Sequence, residues 1–85
     1  MPYQTVKAKN HTFVFAYDEV DPTLLHIFAR HLCSPEDAIE TFFNGETIQN
    51  ERFNRFETES DAHIVYWFWI AEEKQVVMIV SCFRK

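Results

Sequence analysis

The chain of 85 residues contains a single glycine, Gly45, so it holds no glycine-rich loop of the kind that cradles a phosphate. Its two cysteines, Cys33 and Cys82, are too few for a disulfide framework. Free buried thiols are expected in preference to a redox pair or a metal site. Positive charge is also scarce: eight Lys and Arg stand against thirteen Asp and Glu, a net charge of −5, which argues against coating nucleic acid without regard to sequence. No apolar run is long enough to span a bilayer, and the polar start MPYQTVKAK is not a secretory signal. A cytoplasmic protein without membrane contact is therefore expected. The histidines His11, His26, His31 and His63 lack the spacing of a zinc site, and neither a metal nor another cofactor is expected.

What the chain has in quantity is aromatic side chains, with nine Phe, three Tyr and two Trp. A chain of this length makes one domain, residues 1–85, whose small core must be densely apolar to offset chain entropy. The stretch from His63 to Phe83 organises it. HIVYWFWI and QVVMIVSCF are rich in β-branched and aromatic residues and flank the polar AEEK, so they predict two antiparallel strands turning near Glu72 to Lys74. Ile64, Tyr66, Phe68 and Ile70 share one face of the first strand, and His63, Val65, Trp67 and Trp69 share the other. Both faces are apolar. Helices are expected over one of them, and the face with Val65, Trp67 and Trp69 is expected to be open and to serve as a partner interface.

Upstream, Tyr3 to Lys9 and Thr12 to Tyr17 read as a hairpin turning at Asn10-His11. Asp21 and Pro22 predict a capped helix start, with Leu24, Leu25, Phe28 and Leu32 inward and His26 and Arg30 towards solvent. Ser34-Pro35-Glu36-Asp37 opens a second helix with Ala38, Ile39, Phe42 and Phe43 on its apolar stripe. Asn44-Gly45 ends that helix, with the glycine expected in a left-handed terminus. ERFNRFET, Glu51 to Thr58, reads as a polar strand. The expected architecture is α+β: a twisted antiparallel sheet of four or five strands, two consecutive helices on one face, order ββααβββ. Residues 18–46 hold seven acids against Arg30 alone, so an acidic helical side and a less acidic sheet side are expected.

FAYDE at Phe15 to Glu19 and RHLCSPEDAIETFF at Arg30 to Phe43 resemble the BrnT-like ribonuclease toxins of the RelE-like superfamily, and small families of unknown function related to them. ERF at Glu51 to Phe53 is similar to that family's Glu-Arg-Tyr, and VSCFRK at Val80 to Lys85 to its closing Ile-Ser-Ala-Arg strand. The chain departs from the pattern at Tyr17, where tryptophan is usual, at Arg30 and Leu32, and at Cys82-Phe83. The resemblance implies metal-independent RNA cleavage, with a base for the ribose 2′-hydroxyl, an acid for the leaving oxygen and cations for the transition state.

By that resemblance His31, Arg52 and Arg84 are the catalytic candidates, and Arg30, Arg55 and Lys85 the RNA-binding ones. A half-buried histidine bonded to a backbone carbonyl, or surface arginines in solvent, is the alternative for the same residues. Arg52 and Arg55, three apart on one strand, are expected on opposite sheet faces. Two function classes remain: a toxin-like endoribonuclease held by an antitoxin of ribbon-helix-helix type, and a non-catalytic interaction or regulatory module of the same fold, such as a homodimer.

Overall fold

The computed structural model describes residues 3–85, and residues 1 and 2 of the polar start lie outside it. The chain runs β1 (Tyr3–Ala8), β2 (His11–Ala16), α1 (His26–His31), α2 (Pro35–Asn44), β3 (Glu46–Asn50), β4 (Arg55–Glu59), β5 (His63–Ala71) and β6 (Val76–Arg84), with a 3-10 turn at Glu72–Lys74. The strands form one six-stranded sheet in the order β1-β2-β6-β5-β4-β3. This is an α+β fold, but the sheet is larger than expected and is mixed. β2 and β6 lie parallel, Phe13 beside Val77 and Phe15 beside Ile79. All other neighbours are antiparallel.

Three physical causes account for the difference. β3, ETIQN, is an almost fully exposed edge strand, so it lacks the apolar alternation that marks a half-buried strand. The ERFNRFET stretch is split: residues 51–54 turn, with Asn54 left-handed at φ 55° and the Asn50 side chain accepting from the Phe53 amide at 3.3 Å. Only Arg55 onward is strand. The parallel pair arises because the last strand enters between β5 and the N-terminal hairpin, a long-range choice that local periodicity does not encode.

Both hairpins expected from sequence are present, the first turning one residue earlier than expected, at Lys9-Asn10 and not Asn10-His11, because His11 pairs with Ala8 as the first residue of β2. Lys9 and Asn10 are both left-handed, at φ 50° and 66°, as a two-residue turn between twisted strands requires. The first helix starts later than its proline suggests. Asp21 caps a turn through the Thr23 amide, 3.2 Å, and the Leu24 amide donates back to the Asp21 carbonyl. The helix proper covers six residues and ends at Leu32, left-handed at φ 56°. That shift in phase buries Leu25 and Ile27 and leaves Phe28 and Leu32 exposed.

α2 begins as its sequence predicts. Ser34 and Asp37 form a reciprocal capping box, each side chain accepting from the other's amide, with Pro35 at the first position. Its end differs: Gly45 has φ −88°, an ordinary extended value. Glycine is needed there for space, since a Cβ would sit 2.6 Å from the Glu59 carbonyl oxygen and 2.8 Å from Thr58 Cγ2.

Both helices cover one sheet face. Phe13, Phe15, Val65, Trp67, Val77, Ile79 and Cys82 meet Leu25, Ile27, Cys33 and Ala38 in a single core. Val65 and Trp67 are thus beneath the helices, contrary to the expected open face, and Trp69 is half-buried beside them. Trp67 stacks on Phe56 and meets Phe42 edge-on, while its indole N–H donates to Thr58 Oγ1 at 2.8 Å. Thr58, wholly buried, shares a second hydrogen bond with Thr47, so burying these polar atoms carries no orphan penalty. β6 keeps both Ile79 and Cys82 inward because the register shifts between Tyr66 and Trp67, looping out Val80. The sheet face left open carries Ile64, Tyr66, Phe68 and Ile70.

Candidate functional site

The strongest polar constellation lies where β2 gives way to α1. Asp18 lies two residues beyond the end of β2 and is almost completely buried, at 3% exposure. One oxygen accepts from the amides of Val20 and Asp21 at 3.0 and 3.1 Å. The other faces His26 Nδ1 at 3.3 Å and Arg30 Nε at 3.1 Å. Four donors converge on one carboxyl group, so it stays ionised: the Asp21 amide bond holds its pKa below the ordinary value, helped by the Val20 amide and Arg30, against the opposing effect of burial.

An ionised carboxylate can only accept. His26 Nδ1 must therefore carry the proton, which leaves Nε2 as the basic nitrogen of the neutral ring. Arg30 uses Nε on Asp18, and its side chain is 51% exposed, leaving the guanidinium's terminal nitrogens for an anion. His31 completes the group, its ring 6.5 Å from that of His26 and 5.5 Å from Phe83. The four side chains can hold an anion and move protons beside it.

No family model, no curated protein and no solved structure matches the chain.

The sequence candidates are not gathered in one place. Arg30 and His31 belong to the α1 cluster. Arg84 ends β6 opposite His63, near the α1–α2 corner; burial pushes the Cys33 thiol up, and Arg84 exerts a small opposing pull on it. Lys85 is paired with Glu59. Arg52 lies in the exposed β3–β4 turn, not on a strand, with its guanidinium 5.5 Å from the Phe53 ring. Arg55 starts β4 and stacks 3.8 Å over Tyr66 while binding Glu57 at 2.9 Å. It lies beside Phe53 as well, so the two arginines share one aromatic neighbour instead of opposite faces. By register Arg55 is level with Phe68 and Arg84 with His63, a separation of about 16 Å along the strand at about 3.3 Å per residue. Arg55 and Arg84 cannot serve one phosphate.

Asp18 and His26 are the members that sequence reasoning passes over. The helix phase counts His26 and Arg30 as a solvent-facing pair, and the carboxylate between them comes from eight residues upstream. The available signal is Asp18 directly after a strand and before Asp21-Pro22, a position where an aspartate folds back onto turn amides. Among the described residues no three His, Cys, Asp or Glu side chains are grouped as metal ligands. Cys33 and Cys82 are free and buried. Burial pushes the Cys82 thiol far up, which makes it a packing group and not a nucleophile. No helix among the described residues is long and apolar enough to cross a membrane.

Proposed function

We propose that the chain is a toxin-like, metal-independent endoribonuclease whose site is the α1 cluster. The observation that carries this reading is the buried, ionised Asp18 aligning His26 and Arg30 on an exposed surface next to His31. Asp18 fixes the His26 tautomer, and Nε2 takes the proton from a ribose 2′-hydroxyl. The 2′-oxygen attacks phosphorus, and the P–O5′ bond breaks. His31 in its protonated form gives its proton to the departing O5′, so the products are a 2′,3′-cyclic phosphate and a 5′-hydroxyl. Arg30 neutralises the charge that grows on the non-bridging oxygens. Two imidazoles about one phosphate apart suit an in-line displacement, with one on the entering and the other on the leaving oxygen.

The test is cleavage of RNA, free and on ribosomes, in the presence of EDTA, with the termini read by their reactivity to phosphatase and kinase. Wild type is expected to leave cyclic phosphate ends. His26→Ala, His31→Ala and Arg30→Ala are each expected to lose about a hundredfold or more, the usual loss for one transition-state contact. Intact RNA under all these conditions, or full activity in His26→Ala, would sink the assignment. In that event the second reading applies, a non-catalytic interaction module, which the exposed apolar residues Phe68, Ile70 and Val80 of the open sheet face favour.

A further inference from the structure

A concavity of about 780 Å³ lies at the β3 end of the molecule. Its floor includes Ile48, Ile64 and Tyr66, and Ile48 is 64% exposed. Its walls carry Glu40, Glu46, Glu57, Glu59 and Asp61 against Lys85, with Glu57 also paired to Arg55. The groove therefore combines apolar surface with a negative rim, to which Glu46, Glu57 and Glu59 of the sheet's open face contribute beside Glu40 of α2.

β3 contributes a third property. Among the described residues it pairs only with β4, so there the backbone groups along its outer edge have no strand neighbour. Natural edge strands are blunted by lysine, proline or a bulge; ETIQN has neither lysine nor proline, and its pairing with β4 is unbroken. The groove draws residues from α2 on one side of this edge, Glu40 and Asn44, and from the open face on the other, Glu57 and Tyr66. A strand laid along β3 would have one face towards each.

We infer that this groove docks a basic, extended segment of a partner protein, with Lys or Arg alternating with apolar side chains, added to the sheet beside β3. Backbone hydrogen bonds to the β3 edge supply affinity, the basic side chains fall on the face that Ile48 shares with Glu46 and Glu59, their stems on Ile48 and their charges at the glutamates, and the alternate side chains turn towards α2. Lys85 is held by Glu59 in the free protein, and a basic partner residue takes its place. The carboxylates repel RNA, and none of the α1 cluster's side chains lines the groove, so docking there does not use that cluster's chemistry.

The test is an NMR titration of the full chain with a short capped peptide alternating lysine and valine, its glutamate–valine counterpart, and a lysine–valine peptide N-methylated on one edge. The lysine–valine peptide is expected to shift the amides of Glu46 to Asn50 together with Ile64 and Tyr66, more weakly as salt rises. The other two peptides are expected to bind about tenfold or more weakly. Glu46→Lys with Glu59→Lys should reproduce that loss, while Glu72→Lys with Glu73→Lys, on the distant 3-10 turn, should not. Should the first variant fail to fold, the peptide comparison decides alone. The inference is overturned if the lysine–valine peptide leaves β3 unshifted, if the glutamate–valine peptide binds as well, or if these amides respond instead to single-stranded RNA or to self-association of the chain.

Discussion

The two faces of β5 are made from the same kinds of residue and meet opposite fates. Val65 and Trp67 are 0% and 5% exposed, whereas Phe68 and Ile70 are 40% and 52% exposed. Hydrophobicity does not distinguish them, because a strand apolar on both sides has no moment to read. What separates them lies elsewhere in the chain: α1 and α2 have one apolar side each, and those sides match the face that carries Trp67, Ile79 and Phe13. The covered face also pairs its buried polar groups, as Thr58 of β4 shows by accepting from the indole N–H. The open face has arginine over tyrosine instead, Arg55 on Tyr66, which covers an aromatic surface without enclosing it.

The largest effect that would break this comparison is expected from substituting one aromatic on each side. Trp67→Ala should cost about 3–5 kcal/mol, the range for deleting a large core aromatic, and it also deprives Thr58 of a donor. Phe68→Ala should change stability by less than about 1 kcal/mol, because the side chain is already part-solvated. Urea denaturation of both variants measures the contrast. Equal losses would mean that the open face is covered in solution.

The next effect concerns the junction that sets β3 against the helices. Gly45→Ala should destabilise by about 1–3 kcal/mol, the usual cost of overpacking, because the new Cβ meets the backbone of Glu59 and not a flexible side chain. Gly45→Asn distinguishes the cause. Asparagine tolerates a left-handed backbone, so it would be accepted at a left-handed terminus and rejected at a crowded one. At φ −88°, asparagine should be at least as harmful as alanine in thermal melts.

These contrasts show where the fold was legible. The capping box at Ser34 and Asp37, the N-terminal hairpin, read one residue too late in its turn, and the β5–β6 hairpin are local, each fixed by a few neighbouring residues, and each was readable. The side of β5 that faces the helices, the entry of β6 beside β2 and the edge strand β3 depend on distant partners, and no nearby residue signals them. The candidate site divides in the same way. Arg30 and His31 were singled out through motif resemblance, and Asp18 lies beside Arg30 only because a turn folds it under α1. Arg52 was placed on a strand because its alternation looks right, and the left-handed Asn54 makes that segment a turn.

The smallest expected effect compares two carboxylates, one under α1 and one on the open face. Asp18 and Glu57 both have depressed pKa values, Asp18 through the Asp21 amide first and Glu57 through the Asn50 side chain first, then Arg55. A carboxylate with a lowered folded pKa stabilises the fold fully above its unfolded pKa, near 4, and that contribution is lost as pH falls from there through the folded value. Asp18→Asn and Glu57→Gln should therefore both be less stable than wild type at pH 7, with each gap closing below about pH 4. Salt separates them. Glu57 is held by side chains at a solvated surface, its own 20% exposed, so about 0.5 M salt should shrink its gap by screening. Asp18 is held first by two backbone amides in a site with 2% side-chain exposure, where mobile ions do not reach, and its gap should persist. Urea midpoints across pH at low and high salt measure both. If salt erased the Asp18 gap as readily as that of Glu57, the carboxylate would be solvent-accessible, and it could not hold His26 and Arg30 in the fixed arrangement that the α1 site requires.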